Sequence, residues 1–574
     1  MSRLKYKLSL FACILICTVY IGHRIYYSTY NRDAKTIVTD WDALGYYLYL
    51  PATIIYQDYK QLAWFPAIDS QYHVSGGTFY QALKHENGNY YIKYLSGVAL
   101  LQLPYFLTAH IYASNTSHYM ADGFSPPYQQ AIAWGNVIYF ILALFLLRRL
   151  LLQYFSDKVT MISLLAMTLG TNLIQYVTVD SGMSHGYIFP LYVWVLWATY
   201  QWHRQPRWTW AALIGGIIGL ATISRPTEAV MLFIPLLWDT HTRASAKRKW
   251  QLVAAHLPQV CIAIMGGMLA ILPQLLYWKS VTGSFIYDVG SKWSFLNPFF
   301  RVLIGWEKGW FIYTPITIFF IVGLFFLKKY AFKNAVLWFG ILNIYIIISW
   351  FDWRYGGSYS TRALSQSYPV YCLSMAAYIN IWERKRFRWL GYALGVYLIG
   401  VNIFQVWQYN RQILHYNDMN RAYYNAIYLD PSPSPLDMSL LDTDEYLHHP
   451  SQYKTEQWKD ILPINTQLQT APGAEFVLLD TSFSDTNIQW LKVNLQLLTF
   501  SGSWQGTITT HWGEHSHSFR LQNALTKEQQ ENSYSFYLQR PASTGELKIG
   551  LQSPSGLQAQ LKSFSIVSIK KKHE

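Results

Sequence analysis

Asp40 and Asp42 flank a tryptophan in Thr39-Asp40-Trp41-Asp42, shortly after the first long apolar run of the chain. An aspartate at the start of a helix can cap it, since its carboxylate accepts backbone N–H groups and matches the helix dipole. A carboxylate at a membrane's outer boundary can also take a proton from a hydroxyl as a general base. The position of the pair, ahead of a second amphipathic stretch, favours the base.

A second group lies far along the chain, in Trp353-Arg354-Tyr355-Gly356-Gly357-Ser358-Tyr359-Ser360-Thr361-Arg362. A guanidinium binds phosphate oxygens in pairs, and glycine lets backbone N–H groups approach the same anion. Arg362 is read as a phosphate ligand and Arg354 as a weaker candidate; pairing with Asp352 or a lipid headgroup is the structural alternative. Arg225 and Glu228 in Arg225-Pro226-Thr227-Glu228, and His185, fall at helix ends. Ionisable groups there are costly unless paired, which makes them candidate substrate contacts. An Arg225–Glu228 pair and a packing histidine are the plain alternatives. Lys292 and Arg301, with Lys279 and Lys308, add positive charge to the stretch 278–308. Lys93 in Tyr91-Ile92-Lys93-Tyr94-Leu95-Ser96-Gly97 reads, by itself, as a lysine marking the membrane boundary. His511, His515 and His517 straddle a turn, and no cysteine or carboxylate cluster completes a metal set around them.

These residues need a membrane to position them. Of the 574 residues, 52% are hydrophobic and 13% charged, about half the charged fraction of an ordinary soluble protein. Apolar runs near spanning length recur over the first 400 or so residues. Eleven spans are predicted: 8–27, 129–147, 159–177, 186–202, 209–223, 226–239, 252–277, 309–327, 334–351, 367–382 and 389–407. With the N-terminus in the cytoplasm, every basic cluster falls on that side, from Arg148-Arg149 to Arg384-Lys385-Arg386. Parity requires the apolar stretch 94–113 to lie at the outer surface or dip into the bundle without crossing. The external loops are then 28–128 and 278–308, and all the candidate residues gather near the outer face. The net charge of +14 belongs to these short loops and calls for no nucleic-acid partner. Cys13, Cys17, Cys261 and Cys372 sit in apolar segments and read as buried packing residues.

Beyond residue 408 the character changes. The connecting region 409–475 holds a proline-rich stretch, Asp430 to Pro435, that reads as a stiff linker. From 476 to 574 apolar residues alternate, as in Leu491, Val493, Leu495 and Leu497. This predicts a small all-β sandwich outside the membrane.

The ordered motifs resemble the GT-C class of membrane glycosyltransferases, which includes the aminoarabinose transferases and the protein O-mannosyltransferases. Over residues 8–407, Asp40-Trp41-Asp42 is similar to that class's acidic motif, with Asp-Trp-Asp where many relatives have Asp-Glu. Lys93 to Gly97 is similar to its lysine element, with Leu95-Ser96 in place of prolines. Arg225-Pro226 is similar to its Arg-Pro junction. Gly356 to Arg362, leading to Pro369, resembles its Gly-Gly and arginine element. The resemblance implies a GT-C type bundle plus the C-terminal β domain, set in a bacterial inner membrane with its active face toward the periplasm. It also implies a sugar donor carried on a polyprenyl phosphate and a glycan, lipid or protein acceptor. Asp40 or Asp42 is then the base, acting with inversion, and Arg362 is the phosphate ligand with Lys93, Arg225 and Arg354. No cofactor is assigned, and a divalent cation is left open. A lipid-linked sugar flippase, or a polymerase or ligase using a pyrophosphate-linked donor, are the alternatives. The first is disfavoured by the absence of a visible internal repeat.

Overall fold

The computed structural model describes residues 6–30, 36–458, 461–482, 485–523, 526–542 and 545–572. The chain divides into two compact units, Met1–Ile403 and Phe404–Glu574.

The first unit is helical. Four helices are long and apolar enough to cross a membrane: Lys7–Ser28, Pro126–Leu151, Leu257–Thr282 and Arg388–Asn410, the last running across the division between the units. Shorter apolar helices lie at Trp208–Thr222, Pro226–Leu237, Pro315–Leu324 and Lys333–Ile348, and several of the expected stretches are interrupted. The stretch 159–177 is split into Asp157–Leu169 and Leu173–Thr178. The stretch 309–327 is built from Trp310–Tyr313, Pro315–Thr317 and Ile318–Leu324. The helix expected over 252–277 starts later, at Leu257, because Arg243–Ala255 is a helix of its own. Pro258, in the first turn of the later helix, explains the break, since its missing N–H is tolerated only there.

Small residues set how closely the helices approach. A Cβ on Gly215 would stand 1.7 Å from Ala263 O, and one on Gly219 would stand 2.5 Å from Gly267 O. The helices Trp208–Thr222 and Leu257–Thr282 therefore touch backbone to backbone, as membrane helices do where packing replaces the hydrophobic drive. Most of the second helix points outward. Cys261 is exposed there, so the expectation that all four cysteines are buried fails at this position. A side chain facing lipid meets no cost in staying apolar and unpacked.

The stretch 94–113 forms the helix Gly97–Ser114, with Pro104 inside it. Its start is fixed onto the Arg225 junction: Gly97 N donates to Ile223 O at 2.8 Å, and Ser96 N to Gln274 Oε1 at 2.8 Å. Before it, β1 (Ala82–Lys84) and β2 (Tyr90–Ile92) pair antiparallel. Ile92 N donates to Tyr277 OH at 2.9 Å, tying this hairpin to the helix Leu257–Thr282.

The described residues of the second unit form nine strands: β3 (Tyr453–Trp458), β4 (Gln467–Thr470), β5 (Glu475–Ser482), β6 (Ile488–Ser501), β7 (Thr507–Trp512), β8 (His515–Arg520), β9 (Glu531–Gln539), β10 (Glu546–Gln552) and β11 (Leu557–Lys571). One antiparallel sheet runs β5-β10-β7-β8. The other runs β3-β11-β6-β9, with β4 also on β11. The alternation in β6 is real: Leu491, Val493, Leu495 and Leu497 are buried, in one cluster with Ile508, Phe519 and Ile549 of the other sheet. Phe519 and Phe536 stack at 3.9 Å between the two sheets. Strand structure begins at Tyr453, earlier than the alternation suggested, because β3 and β4 are short strands pairing with β11. The expected stiff linker runs into the short helix Pro435–Ser439, where Ser434 and Asp437 form a capping box.

Candidate functional site

The acidic motif is held in an unusual backbone. Trp41 has φ 48°, a left-handed conformation that costs a side-chain-bearing residue about 1 kcal/mol or more. Its N–H donates to Val74 O at 3.0 Å, its carbonyl accepts Gln81 Nε2 at 3.1 Å, and its indole lies against Gly76. The helix Trp41–Tyr47 follows, with Asp40 as its N-cap residue. The Asp40 side chain makes no capping hydrogen bond, so the capping alternative is not realised.

This backbone turns Asp42 toward Arg362. An Arg362 guanidinium nitrogen pairs with Asp42 Oδ2, and Asp42 Oδ1 accepts two phenols, Tyr94 OH at 2.5 Å and Tyr80 OH at 2.8 Å. Gly45 makes room for Tyr94, since a Cβ there would stand 1.9 Å from the ring. The side chains of Arg362 and Asp42 are 11% and 23% exposed, so the pair is largely enclosed. Burial by itself raises the Asp42 carboxyl. The Arg362 charge and the phenol donors more than offset this and hold it down at about 2. Burial works against the Arg362 cation, but Asp42 holds its pKa above the usual arginine value. Tyr94 and Tyr80 are both pushed up, first by burial and then by the Asp42 charge.

Arg362 starts the short 3-10 segment Arg362–Ser367. The loop before it is forced, with Tyr355, Gly356 and Ser360 all at positive φ. Lys308 fastens this loop: its Nζ donates to Arg354 O at 2.9 Å and also to Gly356 O. Lys308 is buried and spends its charge on these carbonyls. Within the 3-10 segment, Gln366 Nε2 donates to Glu228 Oε1 at 3.0 Å, and Gln366 Oε1 meets His185 Nδ1 at 2.8 Å. Glu228 also accepts Tyr192 OH and Thr227 Oγ1. The Arg225–Glu228 pair, the plain structural alternative, is not a direct contact among the described residues. Arg225 acts through its charge, which reaches Glu228, His185 and Tyr355.

Asp42 and Arg362 are in direct contact, and Glu228 and His185 are joined through Gln366, four residues after Arg362 in the same segment. Lys93 is exposed, and its neighbour Tyr94 is the residue that enters the cluster. Arg301 and Arg354 lie at the surface, both against the Trp353 ring, at 4.5 and 5.2 Å. Lys292 is exposed. Tyr80, Tyr94 and Gln366 are structural members that motif reasoning did not assign, and Lys308, read as positive charge for a headgroup, fastens the loop. Gln366 had one faint signal, its place four residues after Arg362. Among the described residues no group of three or more His, Cys, Asp or Glu could hold a metal ion.

The arrangement can bind an anion and handle a proton. Arg362 is a strong cation beside a carboxylate, with Arg225 close by. An anion that draws Arg362 away leaves Asp42 with two phenols and a stronger appetite for a proton.

Comparison with known proteins gives the following. Residues 126–267 match the family model of the dolichyl-phosphate-mannose-protein mannosyltransferases, a stretch that includes His185, Arg225 and Glu228. No curated protein is significantly similar to the chain. Among solved structures, the apo oligosaccharyltransferase of Archaeoglobus fulgidus aligns at 13% identity and a TM-score of 0.42, covering 75% of this chain and 59% of that one. The archaeal oligosaccharyltransferase AglB of the same organism, in complex with an inhibitory peptide and a dolichol-phosphate, aligns at 14% identity and a TM-score of 0.40, covering 77% and 62%. The chain therefore spans about three fifths of the length of these two proteins. The family match is a similarity of this segment, about a quarter of the chain.

Proposed function

We propose that this protein moves a sugar from a polyprenyl-phosphate carrier to an acceptor hydroxyl at the external face of a membrane. The observation that carries the reading is the Asp42–Arg362 pair, which joins the acidic motif to the arginine of the Gly-Gly element. These two are the groups that such a reaction needs side by side.

In this mechanism the donor phosphate takes Arg362 from Asp42, and Arg225 adds its charge. Asp42, or Asp40 one residue apart in the same motif, accepts the proton of the acceptor hydroxyl. The hydroxyl oxygen attacks the anomeric carbon as the bond to the phosphate breaks, inverting the configuration. The leaving phosphate keeps the electron pair, and Arg362 offsets the charge it gains. One such donor is worth about 3 kcal/mol, some two orders of magnitude in rate. The exposed Lys93, Lys292, Arg301 and Arg354 add positive charge that attracts the headgroup.

The same reading sets eleven spans, a cytoplasmic N-terminus, external loops over 28–128 and 278–308, and the two β-sheets as a sandwich outside a bacterial inner membrane. The acceptor is a glycan, a lipid or a protein.

The test is binding of undecaprenyl phosphate and its glycosylated forms to the purified protein in detergent, wild type against Arg362→Ala. Binding lost in a folded variant supports the donor site. Equal binding by both, or none by folded wild type, rejects it.

A further inference from the structure

Behind Arg362 the side chains form a line. Glu228 accepts Tyr192, Thr227 and Gln366, three donors that suit a carboxylate. With its NH2 turned to Glu228, Gln366 presents only its carbonyl oxygen to His185. That oxygen can only accept, so Nδ1 of His185 carries the hydrogen. His185, Gln366, Glu228 and Tyr192 are each at most 1% exposed, so the protein's own donors and acceptors set this arrangement.

This fixes what the other side of the ring can do. His185 Nε2 is buried and has no hydrogen-bond partner among the described residues. Its charged neighbours include the guanidiniums of Arg225 and Arg362 and the Asp42 carboxylate. As the neutral imidazole its Nε2 offers a lone pair, which takes an O–H and refuses a phosphate oxygen. A buried polar atom left without a partner is costly, about 1–3 kcal/mol. A ring oriented through a glutamate and a glutamine, with an acceptor atom that no protein group takes, suits a ligand that brings an O–H to it.

Resting on the proposed donor site, we infer that His185 Nε2 accepts the hydroxyl next to the anomeric carbon of the donor sugar. The phosphate engages Arg362, and that hydroxyl is the sugar's closest to it. His185 is linked to Arg362 through Gln366, four residues along one short segment, whereas the acceptor belongs on the Asp42 side. His185 is thereby a sugar-recognition residue, and Gln366 and Glu228 are positioning residues that set its tautomer.

The test uses the full-length protein in detergent and five probes: undecaprenyl phosphate, the same carrier bearing glucose, mannose or galactose, and the 2-deoxy form of whichever of these is preferred. Wild type is expected to bind one glycosylated form about tenfold more tightly than the bare carrier. His185→Phe should lose that preference and keep the bare carrier's affinity, and His185→Gln, which returns an acceptor atom, should restore part of it. The 2-deoxy form of the preferred donor should bind wild type about tenfold more weakly than its parent, a readout independent of any variant's folding. The inference is overturned if wild type prefers no glycosylated form, if the 2-deoxy donor binds as its parent does, or if folded His185→Phe keeps the preference. Kept preference with a raised KM for the acceptor would move the hydroxyl to the acceptor, again overturning it. Failure of the donor site itself shows separately, as bare-carrier binding indifferent to Arg362→Ala.

Discussion

Asp42 and Arg362 are 320 positions apart in the chain and occupy each other in the folded protein. The partner that holds the carboxylate low is the same group proposed to hold the donor phosphate, so base and phosphate ligand are masked together and released together. Asp42→Asn removes the competitor for Arg362 along with the base. Undecaprenyl phosphate should then bind at least as tightly as to wild type, while transfer falls by about two orders of magnitude or more. Paired binding and turnover assays check this. Full activity in Asp42→Asn and also in Asp40→Asn would remove the aspartate base from the mechanism.

The low Asp42 pKa has a consequence for acid stability. The carboxyl sits at about 2 in the folded protein, against 3.8 for a free aspartate. A depressed pKa stabilises the fold above the unfolded value, and that contribution is lost as pH falls through the folded one. It amounts to about 2 kcal/mol, fully present at neutral pH and disappearing between about pH 4 and pH 2. Thermal melts in detergent across that window should show a steeper loss for wild type than for Asp42→Asn. Parallel curves would mean that the ion pair contributes nothing to stability.

Gly97 lies where the helix Gly97–Ser114 meets the Arg225 junction. A Cβ there would stand 2.5 Å from Ser224 N and 2.7 Å from Ile223 C, both backbone atoms that cannot swing aside. Gly97→Ala should cost about 1–3 kcal/mol and lower the melting temperature. Because Tyr94 lies three residues earlier in the same segment, transfer should also slow. An unchanged melt with unchanged turnover would show that the junction yields freely.

In the second unit, Glu445 Oε1 faces His517 Nε2 at 3.1 Å and His515 Nδ1 at 3.6 Å. The hydrogen bond to Glu445 raises the His517 pKa against the opposing effect of burial. A raised histidine pKa gives stability that is full below the unfolded value and lost as pH rises through the folded one. Glu445→Gln should therefore destabilise the unit by on the order of 1 kcal/mol near pH 6 and by less near pH 9. Calorimetry at the two pH values checks the sign, and an effect larger at pH 9 contradicts it.

Much was legible along the chain because some signals are local. The alternation of Leu491, Val493, Leu495 and Leu497 marks a strand with one covered face, since successive side chains point to opposite sides. Apolar runs mark helices of spanning length, and a proline such as Pro258 marks where one must begin anew. Residue types singled out Asp42, Arg362, Glu228 and His185, because a charged group beside an apolar segment needs a reason. Strand boundaries were read late, at 476, because the short strands β3 and β4 owe their form to pairing with β11.

Partnership is another matter. Nothing in the sequence around Asp42 says that its ligands are Tyr80, Tyr94 and Arg362, or that Arg225 leaves Glu228 to Gln366. A carboxylate takes whatever donors the packed backbone brings within about 3 Å, and that distance depends on helix crossings, on room made by Gly45 and on a loop fastened by Lys308. The sequence by itself determined which residues were costly enough to need partners. Only the tertiary structure decided which partners they have, because hydrogen bonds act over a few ångströms while the chain places these groups up to 320 residues apart.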